Sequence, residues 1–384
     1  MKQRFVVVRS RTGPSGVRSA QPSAALDVDV EEVGRRELRL LLQDRDVVAV
    51  APSMPMKLIE PVAVGAVVPA APGIEWGVAA VGADTSRFNG EGIVACVLDT
   101  GIDADHPAFA GVHIEQQDFT GTGNGDVHGH GTHCAGTIFG RSVEGRRFGI
   151  AQGVSKALVG KVLGPDGGSS ESIVSAIKWA VDSGANVISM SLGMDFPGLV
   201  EFWEGQGLPV ALATSRALEA YRANVQLFER LAALVRTEAL FRQPAIIVAA
   251  AGNESRRDAD PDFEIAVAPP AVAEGIVSVA AVGESADGLV VAPFSNTGAN
   301  VCAPGVGIVS ARAGGGLASM SGTSMAAPHV AGVAALWAQS LKASGALTPL
   351  NLTSRLIASA VTQPLAAGFD PFDVGAGVVR APQA

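Results

Sequence analysis

The chain has 384 residues, of which 48% are hydrophobic and 17% are charged, with 46 glycines and a formal net charge of −9 at pH 7. This is the composition of a globular protein that is large enough to bury a substantial core. Such an acidic chain lacks the dense positive surface that phosphate binding requires, so we expect no nucleic-acid partner. Its longest apolar runs fall short of the about 20 residues that a membrane helix needs, so we expect no membrane partner.

The N-terminus and the cysteines bear on the cellular compartment. Three valines at positions 6 to 8 are followed by Arg9, which is too short an apolar run for a signal peptide. We therefore expect a cytoplasmic protein, with a secreted one as the alternative. Cys96, Cys134 and Cys302 are odd in number and widely spaced, and they predict buried free thiols instead of a disulfide framework.

Residues 1–60 are predicted to form a small α+β domain. Its predicted elements are a strand at 5–8, a helix at 31–42 and a strand at 47–51. Residues 51–73 then contain five prolines, which break helices and remove the N–H donors of a strand ladder. This stretch predicts a linker, which we place at 61–75.

Residues 76–384 are predicted to form one α/β domain, with a doubly wound and mostly parallel sheet. Short apolar runs, typical of strands buried on both faces, occur at 93–98, 158–163, 187–190, 245–250 and 276–282. Between the second and third runs, Ile173, Ile177 and Val181 have helical spacing, and Gly184 ends the helix. A strand, a helix and a strand in this order form a right-handed parallel crossover.

Residues 196–243 are predicted to be a helical insertion in this domain. Apolar residues at steps of three and four predict one long helix, and they are Leu218, Tyr221, Val225, Phe228, Ala232 and Val235. We expect this stripe to pack on the main domain. A helix that covers the substrate or binds a partner is the alternative.

Polar side chains follow three of the predicted strands. Asp99 follows the first run, Ser191 the third and Asn253 the fourth. In an open α/β sheet, ligands bind beyond the carboxyl ends of the strands, so we expect these side chains at one edge of the sheet. Taken alone, Asp99 is also explained as a turn residue or helix cap, and Asn253 as a turn residue.

A histidine cluster lies among glycines and small residues, with His128, His130 and His133 at positions i, i+2 and i+5. Small neighbours let the backbone pack closely and fix the direction of the His130 imidazole. The alternative is a metal site, because the spacing resembles the metal-binding run of metallo-β-lactamase-like hydrolases. Such a site would need an acid where Thr132 stands.

Ser324 precedes an apolar run that predicts a buried helix, with Pro328 expected in its first turn, where proline is tolerated. A serine at this position is either a helix cap or a nucleophile. As a nucleophile, its developing oxyanion would meet the backbone N–H groups of the helix. The Asn253 amide would then be a second donor to the oxyanion.

Together these segments resemble the three signature segments of the subtilisin-like serine peptidases (subtilases, peptidase family S8). They are Asp-Thr-Gly at 99–101, His-Gly-Thr-His at 130–133 and Gly-Thr-Ser-Met-Ala-Ala-Pro at 322–328, in the chain order Asp, His, Ser. The resemblance covers roughly residues 74–380. It implies a serine endopeptidase in which Asp99 orients His130, His130 takes the proton of Ser324, and Asn253 helps to hold the oxyanion.

The resemblance also implies the substrate-binding residues. Ser191, Leu192 and Gly193 would pair with the extended backbone of a polypeptide substrate, and Ala250, Ala251 and Gly252 would line one wall of the pocket before the cleaved bond. Met194 stands where many relatives have a glycine, which would narrow the rim of the pocket.

Residues 46–52 are similar to the closing strand of the inhibitory propeptide that subtilases often carry. The chain's own residues 1–60 would then be an intramolecular chaperone and inhibitor whose tail lies in the cleft, and self-cleavage is expected within about residues 55–75. An interaction domain of another purpose is the alternative for these residues.

The resemblance also bears on metals and on the thiol. Residues 139–150 lack the asparagine-rich loop of the family's strongest calcium site, so we predict no metal and no other cofactor. Cys134 is similar to the cysteine of the thiol-containing branch, and we expect a structural thiol.

Three other functions stay open from the sequence. A peptide ligase or macrocyclase would resolve the acyl-enzyme with an amine, and a leader peptidase would serve a peptide-maturation pathway. A catalytically inactive binding protein is the third, although all four catalytic positions are filled.

Overall fold

The computed structural model describes residues 2–11, 25–68, 72–239 and 242–383. The first part is a three-stranded antiparallel sheet with one short helix. Its elements are β1 (Gln3–Arg11), β2 (Ala25–Val33), α1 (Arg35–Leu41) and β3 (Val47–Pro52), and the strands lie in the order β2-β1-β3. The strands predicted at 5–8 and 47–51 lie in β1 and β3. The helix predicted at 31–42 is shorter, because residues 31–33 end β2.

The proline-rich stretch 51–73 contains two strands, of which the second lies in the predicted linker at 61–75. They are β4 (Pro55–Leu58) and β5 (Ala63–Val68), and both pair with segments of the large domain. Pro55 is the first residue of β4, a position at which a missing N–H donor is tolerated. The prolines therefore limit the length of these strands without preventing them.

The large domain follows. Its elements are β6 (Gly73–Ile74), α2 (Trp76–Ala80), β7 (Val94–Asp99), β8 (His113–Asp118), α3 (His130–Phe139), β9 (Arg146–Arg147), β10 (Lys156–Lys161), β11 (Gly168–Ser169), α4 (Ser170–Asp182), β12 (Val187–Met190), β13 (Leu192–Met194), α5 (Phe196–Gly205), α6 (Val210–Glu238), β14 (Ile246–Ala250), β15 (Ile276–Ser285), β16 (Gly288–Val291), β17 (Val301–Pro304), β18 (Ile308–Ala311), β19 (Leu317–Ser321), α7 (Thr323–Ala343), α8 (Pro349–Ala358) and α9 (Pro371–Val374).

The central sheet of this domain has eight strands in the order β16-β15-β14-β12-β7-β10-β8, with β17 also paired to β15. All neighbours are parallel except β16, which runs antiparallel to β15. The five apolar runs of the sequence lie in β7, β10, β12, β14 and β15, so the predicted doubly wound parallel sheet is confirmed.

Both faces of the sheet are covered, as the continuous apolar runs predicted. Along β7, Ala95 and Val97 belong to a core that also contains residues of α3 and α7. The alternate residues Cys96 and Leu98 belong to a second core, with residues of α4 and α6. The chain therefore places the helices that follow Gly129 and Gly322 on one face and the crossover helix α4 on the other.

The insertion consists of two helices, α5 and α6, and the predicted long helix is α6. The apolar stripe was predicted only in part. Phe228, Ala232 and Val235 are buried, but Leu218 is 50% exposed. The buried face of the first half of α6 is made by small residues, and they are Ala213, Ala217 and Ala220.

Candidate active site

Asp99 and His130 form a buried hydrogen-bonded pair. Asp99 is the last residue of β7, and His130 is the first residue of α3. The distance from Nδ1 of His130 to Oδ1 of Asp99 is 2.7 Å, and the same oxygen accepts a hydrogen bond from the backbone N–H of Thr100. Since a carboxylate only accepts, the imidazole donates from Nδ1, and Nε2 is left for a second partner.

The protonation of His130 depends on two opposing effects. Burial disfavours the charged imidazolium, but the adjacent Asp99 carboxylate outweighs it and holds the pKa of His130 well above 6.5. The neighbouring Cys134 is neutral, because burial raises the pKa of its thiol. The stability that the Asp99–His130 attraction contributes is therefore fully present below the pKa of His130 in the unfolded chain. It is lost as pH rises through the higher pKa of His130 in the folded chain.

Ser324 is the second residue of α7 and is fully buried. Its hydroxyl does not bond to His130. It donates to the carbonyl oxygen of Ile59, at an Oγ–O distance of 2.9 Å. Within the described part of the chain, Nε2 of His130 has no hydrogen-bond partner. The N-terminal segment thus holds the hydroxyl away from the imidazole.

Asn253 follows β14 and is fixed by Thr323, the first residue of α7. Its Oδ1 accepts hydrogen bonds from the backbone N–H and the hydroxyl of Thr323, at 2.8 Å and 2.9 Å. These two donors require that Oδ1 face α7, so Nδ2 faces the cleft. There Nδ2 donates to the carbonyl oxygen of Glu60, at 2.8 Å.

The chain before Ile59 lies in the cleft as an extended strand. β4 pairs antiparallel with β13, with Leu192 opposite Leu58 and Gly193 opposite Lys57. The backbone N–H of Ile59 donates to the carbonyl of Ser191, at 3.3 Å. The residues proposed to bind substrate backbone thus bind the chain's own backbone.

Ile59 is buried, and so are the residues expected to line one wall of the substrate pocket, Ala250, Ala251 and Gly252. Ile59 is 3% exposed, and a Cβ placed on Gly193 would lie 3.7 Å from its Cγ1. Ala250 and Ala251 are fully buried at the end of β14. Gly252 has a φ of 114°, and a Cβ there would lie 2.2 Å from Nδ2 of Asn296, so only glycine fits.

The three histidines do not converge. Nε2 of His133 lies 3.0 Å and 3.1 Å from the carbonyls of Ile308 and Ala318, and burial lowers the pKa of His133 to about 3. The His128 ring is half exposed, and its Nε2 lies 3.7 Å from a carboxylate oxygen of Glu60. Among the described residues, the one group with metal-ligand spacing is Asp99, His130 and Cys134. The three-histidine metal site of the alternative interpretation is therefore not formed.

Pro328 lies in the second turn of α7, and not in the first as expected. Because proline has no N–H, the carbonyl of Ser324, four residues earlier, has no helical donor. Two side chains donate instead, Sγ of Cys134 at 3.3 Å and Oγ of Ser191 at 3.4 Å. Cys134 is therefore a structural thiol that links α3 to α7.

Asp126 is a site residue that the sequence analysis missed. Its Oδ1 accepts from the Thr100 hydroxyl at 2.9 Å, and its Oδ2 accepts from the N–H and the hydroxyl of Thr132, at 2.9 Å and 2.6 Å. It thus joins the turn after Asp99 to the first turn of the helix that carries His130. The available signal was an acid four residues before a helix that begins in a glycine-rich segment.

The N-terminal domain is held by α4 and α6. Met54 lies in the connection between β3 and β4, and Ser170 is the first residue of α4. The backbone N–H of Met54 donates to Oγ of Ser170 at 3.0 Å, and the N–H of Ser170 donates to the Met54 carbonyl at 2.9 Å. Nδ2 of Asn224, buried on α6, donates to the carbonyl of Pro52 at 2.8 Å. The small residues of α6 allow this close approach of β3.

Fold and site together define an α/β protein in which a carboxylate, an imidazole and a hydroxyl gather at the carboxyl edge of a parallel sheet, at the N-terminus of a buried helix. The model of the subtilase family (Peptidase_S8) matches residues 90–377. The chain belongs to this family.

Individual relatives agree with this assignment. A subtilisin-like protease of Coccidioides posadasii is 37% identical over 278 residues, which cover 70% of this chain and 57% of the relative. Subtilisin-like protease 1 of Trichophyton equinum is 37% identical over 281 residues, which cover 68% of this chain and 45% of the relative. The chain thus spans about half the length of these relatives.

The fold has a solved counterpart in fervidolysin from Fervidobacterium pennivorans, described as a keratinolytic enzyme related to subtilisin. The TM-score is 0.66 at 21% identity, over 99% of this chain and 60% of fervidolysin. This likeness concerns the fold. In the described part of the chain, every helix is too short or too polar to cross a bilayer.

Proposed function

We propose that this chain is a serine endopeptidase that hydrolyses polypeptides through an acyl-enzyme on Ser324 and is made as a self-inhibited precursor. One observation carries the proposal. An extended segment of the chain runs through the site with the carbonyl of Ile59 on the Ser324 hydroxyl and that of Glu60 on the Asn253 amide. This is the arrangement that an acyl-transfer site offers to a peptide bond.

The residues have separate roles in the proposed reaction. When the N-terminal segment leaves, the Ser324 hydroxyl loses its acceptor on Ile59 and turns to Nε2 of His130, which has no other partner in the described chain. His130 takes the proton as Ser324 attacks the carbonyl carbon, and later gives it to the leaving amine. Asp99 keeps His130 in the tautomer that carries its proton on Nδ1, and it stabilises the imidazolium that forms when His130 takes a second proton.

The oxyanion would be held by two kinds of donor. Asn253 contributes its amide, already oriented by Thr323. The first turn of α7 contributes the backbone N–H of Ser324, since the first N–H groups of a helix have no intrahelical acceptor. Water then hydrolyses the acyl-enzyme by the same proton path in reverse.

Self-inhibition is proposed for residues 1–60, because the segment covers both the nucleophile and the oxyanion donors. The bond whose carbonyl contacts Asn253 joins Glu60 to Pro61. A proline nitrogen carries a ring carbon in place of its hydrogen, which crowds the approach of an acid to the leaving nitrogen. The segment therefore combines the binding mode of a substrate with a bond that is slow to break.

The proposal is tested with the full chain and a fluorophosphonate probe that labels activated serines. The wild type is expected to label after cleavage within about residues 55–75, and Ser324→Ala is expected neither to label nor to shorten. Ser340→Ala is the matched control, since Ser340 lies 16 residues further along the same helix, about 24 Å away. It should behave as the wild type.

The other outcomes separate the remaining functions. A wild type that never labels, even without its first 60 residues, would favour an inactive binding protein. Transfer of the acyl group to added amines in preference to water would favour a peptide ligase. A narrow cleavage profile on a peptide library would favour a leader peptidase over general turnover.

A further inference from the structure

The side chains of β4 alternate between the core and the solvent. Met56 and Leu58 are buried, and Lys57 between them is exposed. Backbone pairing places Lys57 opposite Gly193 of β13. The exposed side chain has a partner, because its Nζ lies 3.3 Å from Oδ1 of Asp195, two residues after Gly193. This is the diagonal position across an antiparallel ladder, where two side chains lie on the same face and within reach of each other.

Asp195 is held by its backbone and by its side chain. Its backbone N–H donates to the carbonyl of Pro55 at 3.0 Å, so the pairing with β4 extends one residue beyond β13. Its Oδ1 accepts from the N–H of Gly198 at 3.2 Å, which makes Asp195 the N-cap of α5. A Cβ on Gly198 would lie 2.1 Å from Oδ2 of Asp195, so the carboxylate lies against the helix backbone. These contacts with α5 do not depend on the N-terminal segment.

We propose that Asp195 forms a subsite for a basic side chain, so that this enzyme prefers polypeptides with Lys or Arg at the position of Lys57. This inference rests on the proposed peptidase function, in which the N-terminal segment has the binding mode of a substrate. A substrate paired with β13 in the same register places this side chain opposite Gly193 and beside Asp195. A basic residue one position earlier or later would face the core, where a charge is costly. The preference therefore belongs to one position.

The expected preference is moderate. The side chains of Lys57 and Asp195 are 46% and 30% exposed, so water screens their attraction, and pairs of this kind change an equilibrium constant by about 1.5- to 5-fold. The partial positive charge at the N-terminus of α5 also disfavours a cation, which keeps the preference in this range. An acidic side chain at the same position is repelled to a similar extent. The expected order of substrates is Lys or Arg, then Gln, then Glu.

The test uses the full chain, activated by its own cleavage, and internally quenched peptides. The peptides copy residues 53–60 with alanine in place of Pro61, and they carry Lys, Arg, Gln or Glu at the position of Lys57. We expect kcat/KM for the Lys peptide to exceed that for the Gln peptide by about 1.5- to 5-fold, mainly through KM, and the Glu peptide to fall below by a similar factor. Raising the ionic strength from about 0.05 M to about 0.5 M should shrink these differences, because salt screens exposed charges.

Asp195→Asn removes the charge and keeps the helix cap, since asparagine caps a helix about as well as aspartate. This variant should cleave the Lys, Gln and Glu peptides with equal kcat/KM. Glu91→Gln is the matched control for the change in net charge. Glu91 is exposed and precedes β7, so it lies at the edge of the sheet opposite the site, and this variant should keep the wild-type preference.

The outcomes separate this inference from the proposed function. Equal kcat/KM for the Lys and Glu peptides in the wild type would overturn the inference and leave the peptidase function standing, and so would a preference that survives in Asp195→Asn. No cleavage of any peptide, together with no fluorophosphonate labelling, would refute the peptidase function and the inference with it.

Discussion

Gly131→Ala tests whether the spacing between β7 and α3 sets the catalytic geometry. Gly131 follows His130 in α3, and a Cβ there would lie 2.2 Å from the carbonyl oxygen of Gly101 and 3.2 Å from Cβ of Asp99. A carbon and an oxygen in contact lie about 3.3 Å apart. The turn after Asp99 must therefore move by about 1 Å relative to the helix that carries the imidazole.

Two effects of this shift can be estimated. Overpacking a close contact costs about 1–3 kcal/mol of unfolding free energy. A misplacement of about 1 Å between catalytic groups lowers the rate by about 10²-fold. We therefore expect Gly131→Ala to lower kcat on the order of a hundredfold in the processed enzyme, with KM nearly unchanged, because the residue does not touch the bound segment.

The assay combines denaturant unfolding with steady-state cleavage of a quenched peptide. Gly205→Ala is the matched control, since Gly205 is also helical but a Cβ there would have no neighbour within 4 Å. Alanine is favoured over glycine in a helix by up to about 1 kcal/mol, so this variant should be fully active and no less stable than the wild type. Normal kcat in Gly131→Ala would refute the reasoning.

Three further substitutions test the site. Asp99→Asn should lower the pKa of His130, because burial then loses its main opposing effect, and should lower kcat about 10⁴-fold; a histidine NMR titration and cleavage rates check this. In the wild type, activity should rise with pH through the raised pKa, since only the neutral imidazole accepts a proton. Asn253→Ala should lower kcat about 10²–10³-fold with little change in KM, measured by steady-state kinetics; an unchanged kcat would exclude an oxyanion role. Pro61→Ala should speed cleavage after Glu60, followed by intact mass over time; an unchanged rate would show that the proline ring is not what slows this bond.

The central sheet and the gathering of site residues were predictable from the sequence, since both follow from local patterns. Continuous apolar runs mark strands with two covered faces. Asp99 and Ser191 come directly after such runs, and Asn253 lies three residues after another. These side chains lie together because the carboxyl ends of parallel strands share one edge of the sheet. The roles of these residues stay predictions until the variants are measured, and so does the expected cytoplasmic location.

The missed features depend on contacts that are distant in sequence. β4 and β5 are short and lie among prolines, and they pair with β13 and β19, which are distant in the sequence. The buried face of α6 was misjudged because Ala213 and Ala217 are too small to register as an apolar stripe, although small residues are what the approach of β3 requires. The Ile59 carbonyl that takes the Ser324 hydroxyl has no local signal at all.

The Ser324 carbonyl, which has no helical donor because Pro328 has no N–H, bears on activation. Its bonds to Cys134 and Ser191 lie beneath the cleft and involve no atom of the N-terminal segment. The helices that bear the imidazole and the hydroxyl are therefore fastened to each other whether the cleft is full or empty. Once the N-terminal segment has left the cleft, the proposed mechanism then needs only a rotation of the Ser324 hydroxyl toward His130.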